Sequence, residues 1–117
     1  MAKDWTLYHN PGCSKSRAAM AYLTDEGIDV DVVEYLDAPP TEGDIRNLLG
    51  KLGLAVRDII RDGEDEYDEA GLGDETLSDG ALIAAIVKQP ILLQRPIIVR
   101  GDSAVIGRPT ETIDDLR

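Results

Sequence analysis

Trp5-Thr6-Leu7-Tyr8-His9-Asn10-Pro11-Gly12-Cys13-Ser14-Lys15-Ser16-Arg17 passes from an apolar run, through a tight turn, into a helical pattern. A strand feeding such a turn and then a helix sets the Cys13 sulfur beside unpaired backbone N–H groups. Those donors and the helix dipole favour negative charge there. The thiolate is the nucleophilic form of cysteine, and a helix N-terminus lowers its pKa. A drop of about 2 pH units from a free value near ~8.5 raises the thiolate at neutral pH from roughly 3% to roughly 75%. Pro11-Gly12 before the cysteine and Ser14-Lys15-Ser16-Arg17 after it form a polar, flexible surround. That surround argues against a packed, inert thiol. Cys13 is the only cysteine, so the motif is Cys-Ser-Lys-Ser and not a dithiol pair.

Outward from this stretch, residues 5–9 read as a strand and 14–26 as a helix. Ala18, Ala19, Tyr22 and Leu23 form its expected inward face, and Gly27 stops it. Val30-Asp31-Val32-Val33-Glu34-Tyr35 is rich in β-branched residues and reads as a second strand. Strand, helix and strand in this order form a βαβ unit, so the two strands are expected to be parallel. Ala38-Pro39-Pro40 breaks the chain. Thr41 is a good N-cap for a helix over 42–52, whose face is Ile45, Leu48, Leu49 and Leu52. A helical turn fits 55–61, residues 62–75 read as irregular or weakly helical, and a further helix runs from 77 to 88. Arg95-Pro96-Ile97-Ile98-Val99 reads as a third strand, Gly101-Asp102 as a turn and Ala104-Val105-Ile106 as a fourth strand, giving a hairpin. Thr110 is expected to cap a last short helix at 111–116.

This order predicts an α/β, thioredoxin-like fold: a four-stranded mixed sheet with flanking helices and a helical insertion between strands 2 and 3. Residues 1–117 are expected to form a single domain. Pro96 enters the third strand where such folds often hold a cis proline against the thiol; the sequence leaves the isomer open.

Apolar residues make up 43% of the chain, as in an ordinary globule. Net charge is −11, which argues against nucleic acid as a partner, because phosphate backbones need a basic face. Any bound anion must be held by a local basic pocket. Met1-Ala2-Lys3-Asp4 leads straight into a strand, with no leader pattern, and no apolar run reaches membrane-spanning length. A reduced, cytoplasmic protein is the expected setting, with an outside thiol completing any redox cycle.

Other residues have candidate roles. His9 fits a stabiliser of the thiolate or the turn, or a neutral group hydrogen-bonded at the strand end. Ser16 fits a donor to an oxyanion or a helix cap. Arg17 fits a loop brace or a surface arginine. Arg61, Arg95 and Arg108 stand out, the last two because each abuts a proline at a sheet end. Guanidinium forks match tetrahedral oxyanions. No zinc, calcium or phosphate-loop spacing is present, so no metal is expected.

Tyr8 to Arg17 resembles the opening of the glutaredoxin-dependent arsenate reductases, an ArsC-like group within the thioredoxin-fold superfamily. Val33 to Pro40 is similar to their second strand and Pro-Pro break. Val56-Arg57-Asp58-Ile59-Ile60-Arg61, Lys88 to Ile97, and Gly107-Arg108-Pro109 are similar to the segments carrying three active-site arginines. The resemblance implies Cys13 as nucleophile, His9 helping to keep the sulfur ionised, and Arg61, Arg95 and Arg108 as oxyanion binders.

The implied activity is reduction of arsenate to arsenite through a Cys13 thiol–arsenate adduct. The implied partners are arsenate, glutathione as co-substrate and glutaredoxin, with no tightly bound cofactor. Two alternatives share the Cys13 motif: a glutathione-linked thiol oxidoreductase with another substrate, and an Spx-type regulator that binds RNA polymerase. Those regulators generally lack the full arginine set, which favours the enzyme. The chain ends at Arg117, sooner after Arg108 than in many such reductases, which bears on any contact made by a C-terminal tail.

Overall fold

The computed structural model describes residues 4–117. Met1-Ala2-Lys3, read above as the lead into the first strand, lies outside the described residues. The chain, read above as one domain, is built of two compact units. One runs to Ala38 and resumes at Arg95–Arg117; the other is Pro39–Gln94.

The first unit holds the sheet. Its elements are β1 (Trp5–Tyr8), α1 (Ser14–Asp25), β2 (Val30–Val33), β3 (Ile97–Arg100), β4 (Ser103–Ile106) and a C-terminal 3-10 helix (Thr110–Leu116). The strand order is β2-β1-β3-β4. β1 pairs parallel with β2 and antiparallel with β3, and β3 pairs antiparallel with β4. Leu7 sits opposite Val32 on one side and Ile98 on the other. Gly101 turns the β3–β4 hairpin at φ 59, a conformation that disfavours a side chain. This mixed order, with a βαβ start and a hairpin end, is the thioredoxin-like arrangement expected from the sequence. Trp5, Leu7 and Ile98 pack with Ala19 and Leu23 of α1 and with Ile113 and Leu116 of the C-terminal helix.

The second unit is helical: α2 (Glu42–Leu52), a 3-10 turn (Val56–Ile59), α3 (Asp65–Glu69), α4 (Asp79–Lys88) and a 3-10 turn (Pro90–Leu92). Thr41 and Asp44 form a reciprocal capping box on α2. Ile45, Leu48, Ile59, Leu82, Ile83 and Ile86 are buried in its core. Ile60 bridges Leu93, which closes the unit with short strand-like pairing.

Several local readings are corrected. The first strand ends at Tyr8, although the His9 N–H still bonds to the Val33 carbonyl at 2.8 Å. Ala18 is exposed, because the inward face of α1 follows Ser16, Ala19 and Leu23 at helical spacing. Pro109 stands at the cap position of the last helix, and Thr110 is its first residue.

Candidate active site

The turn after β1 is held by its own backbone. The Asn10 carbonyl accepts the Cys13 N–H at 3.0 Å. The Asn10 side chain accepts the Gly12 N–H at 2.9 Å. Asx turns of this kind fix a loop without outside help. Cys13 is then the N-cap of α1, with extended φ −102 and ψ 124, and its carbonyl accepts the Arg17 N–H at 3.0 Å. Arg17 Nη1 donates back to the Pro11 carbonyl at 2.9 Å, so the arginine braces the loop.

Cys13 is a free, partly exposed thiol. Partial burial pushes its pKa up; the Ser16 N–H, the Arg95 side chain and the Lys15 N–H, with the Arg95 charge, outweigh this. The net result is a thiol pKa below the ordinary value. The sulfur therefore sits against the first helical N–H groups, as its N-cap position dictates.

Arg95 and Arg108 flank the sulfur. Both precede cis prolines, Pro96 and Pro109. Arg95 is buried, at 7% exposure. Arg108 donates through Nε to the Arg95 carbonyl at 2.7 Å and points Nη2 at Cys13 Sγ, 3.6 Å away. A thiolate between two guanidinium groups and two helix N–H groups is a site that attracts a small oxyanion.

His9 lies one step back from the sulfur. It is buried, and its Nδ1 is 2.7 Å from Ser16 Oγ. Ser16 Oγ also accepts the Asn10 N–H at 3.0 Å. The Ser16 hydroxyl is thus fully buried inside the turn, and its main-chain N–H is the group that faces the sulfur. Burial lowers the His9 pKa, with Glu34 opposing and Arg17 adding to the effect. His9 thus contacts Ser16, whose main-chain N–H faces the sulfur.

Arg61 belongs to the second unit. It donates through Nε to Glu64 and through Nη1 to Gln94, each at 3.0 Å. The first unit therefore gathers Cys13, Arg95, Arg108, Ser16 and His9, and Arg61 is anchored in the helical unit. Sequence reading passed over Asn10, although Asn-Pro-Gly is an Asx-turn signal. The backbone N–H groups expected beside the sulfur are those of Lys15 and Ser16.

Elsewhere, a shallow cavity of about 470 Å³ in the second unit is lined by Leu72, Leu77 and Ala85 with Glu66, Glu69 and Lys88. Its lining includes no cysteine, serine, threonine or histidine. Among the described residues no cluster of His, Cys, Asp and Glu is arranged to hold a metal ion. No helix among them is long and apolar enough to cross a membrane.

A model of the ArsC family matches residues 8–116, a span that includes every residue of this site. The chain is 45% identical over 109 residues to the arsenate reductase of Neisseria meningitidis serogroup A, covering 92% of this chain and 93% of the relative. It is 44% identical over 114 residues to the uncharacterized protein YfgD of Escherichia coli, covering 97% and 96%. The solved structure of an arsenate reductase from Vibrio cholerae superposes with a TM-score of 0.95 at 42% identity, covering all of both chains. With a family match over nearly its whole length and these relatives, the chain belongs to the ArsC family.

Proposed function

We propose that this protein is an arsenate reductase that works through Cys13 and draws its electrons from glutathione and glutaredoxin. The observation that carries the proposal is the Cys13 sulfur, held below the ordinary thiol pKa with Arg95 and Arg108 beside it. The arsenate reductases among its relatives support the choice of oxyanion.

In the proposed reaction, arsenate docks on the guanidinium groups of Arg95 and Arg108. Each charge-assisted hydrogen bond contributes about 1.5–3 kcal/mol. The family likeness adds Arg61 to the oxyanion binders on sequence alone; Arg61→Ala tests it, and an unchanged KM for arsenate removes it. The Cys13 thiolate attacks arsenic(V), an S–As bond forms, and one arsenate oxygen leaves as water after protonation. The arginines offset the charge that gathers on the remaining oxygens.

Glutathione thiolate then attacks the Cys13 sulfur. An S–S bond forms, the S–As electron pair stays with arsenic, and arsenite leaves. Arsenic gains two electrons, and the two sulfurs lose them. A glutaredoxin thiolate takes the glutathione off Cys13 and frees the thiol. An outside thiol is needed because the chain has one cysteine.

The test is arsenate-dependent NADPH consumption in the presence of glutathione, glutaredoxin and glutathione reductase. Turnover abolished by Cys13→Ser is the expected result. Folded protein that gives a flat trace would overturn the proposal.

A further inference from the structure

We propose that Gly107 is a positioning residue, whose missing side chain seats the end of β4 on cis-Pro96 and thereby sets the reach of Arg108 to the Cys13 sulfur. The inference rests on Cys13 as the reacting group and not on arsenate as its substrate.

Gly107 directly follows β4 and is buried. Its N–H bonds to the Pro96 carbonyl at 2.9 Å, extending the pairing of β4 with β3. Its φ is not in the left-handed region, where the positive-φ glycines are Gly27, Gly53, Gly71 and Gly101. Backbone freedom is therefore not what this position requires. Space is: a Cβ built here would stand 2.8 Å from Ile98 Cδ1, 3.0 Å from Pro96 Cγ and 3.8 Å from Ile113 Cγ1.

Something must move if a side chain is added. Ile98 is fully buried among Leu7, Leu23 and Ile113, so moving its terminal methyl works against close packing. Pro96 Cγ yields only by a change of ring pucker, and Pro96 follows a residue that faces the thiol. We infer that outward displacement of residues 107 and 108 takes up part of the strain. Arg108 is the next residue, and its two contacts are short in tolerance. Nε reaches the Arg95 carbonyl at 2.7 Å, and Nη2 reaches the sulfur at 3.6 Å, already near the limit for such a bond. A displacement of about 1 Å is enough to spoil positioning at a reacting centre.

The experiment compares Gly107→Ala, Arg108→Ala and the double variant. It measures the pH midpoint of Cys13 alkylation by iodoacetamide, with thermal unfolding recorded alongside. Gly107→Ala is expected to raise the midpoint by about one pH unit, the scale of an opposite charge lost from beside an ionisable group. Arg108→Ala should give a similar rise, and Gly107→Ala should add nothing in the Arg108→Ala background.

If Gly107→Ala does not fold, Ile98→Val plus Gly107→Ala is measured against Ile98→Val: valine removes the methyl at 2.8 Å, and the Pro96 Cγ contact at 3.0 Å remains, so a smaller rise is still expected. An unchanged midpoint in a folded variant overturns the proposal. So does an equal rise with and without Arg108, which marks mere loosening of the sheet. Loss of arsenate turnover in every sample, including the parent, strikes the proposed activity and leaves this inference standing.

Discussion

Arg108 clips the Arg95 main chain from the side, Nε to carbonyl at 2.7 Å, while its Nη2 faces Cys13 Sγ. One guanidinium thus ties the start of β3 to the thiol and keeps its own plane fixed. That double use depends on the fork geometry of arginine, which a lysine lacks.

Arg108→Lys should therefore keep the charge and lose the placement. KM for arsenate is expected to rise about ten-fold or more, corresponding to one charge-assisted bond lost. Steady-state kinetics check it. A lysine variant with parental KM would show that charge alone suffices.

The lowered thiol pKa of Cys13 links charge to stability. A group whose pKa falls on folding stabilises the native state fully above its unfolded value. The contribution fades as pH drops toward the folded value. The stability difference between the parent and Cys13→Ser should therefore grow with pH between those two values and level off above the ordinary thiol value. Chemical denaturation across neutral and mildly alkaline pH measures it. A difference flat across that window would mean that the sulfur is not held as thiolate.

The legible parts of this fold are those governed by neighbours in sequence. Thr41 announces the start of α2 because an N-cap is a local device, and the predicted limits match Glu42–Leu52; the reciprocal bond with Asp44 came with the structure. Cys13 at the head of α1 follows from the strand–turn–helix pattern in the same way. What the sequence leaves open is contact geometry across the sheet. Arg108 and Cys13, both assigned to the site by the family resemblance, are 95 positions apart, and the β1–β3–β4 register brings them to 3.6 Å. The space demanded at Gly107 has the same origin, since Ile98 of β3 and Pro96 just before it reach that position. The inward Ser16 hydroxyl escaped because a cap residue and a buried turn anchor look alike in sequence.

His9 should act as an acid-side sensor of the turn. Burial lowers its pKa below the ordinary histidine value of 6.5. The folded state therefore prefers the neutral ring, and stability is lost as pH falls from that value toward the lowered one. His9→Asn should remove this slope while keeping a polar group near Ser16. Unfolding midpoints measured on both proteins across that window decide it; identical slopes would reject the assignment.

The thiol also depends on a distant anchor. The C-terminal 3-10 helix pins α1 from below: Ile113 is fully buried against the sheet and helix, Tyr22 of α1 donates to Asp114, and Arg117 pairs with Glu26. The surface bonds contribute little on their own, because exposed ion pairs are screened and cost side-chain entropy. The buried isoleucine dominates. Ile113→Ala should destabilise the protein by about 2–5 kcal/mol, the range for emptying a buried aliphatic site. Tyr22→Phe should leave stability nearly unchanged, because the bond it removes is exposed to solvent. Urea titrations of the two variants separate these effects. A Tyr22→Phe cost equal to that of Ile113→Ala would show that the surface network, and not the apolar anchor, holds the helix carrying Cys13.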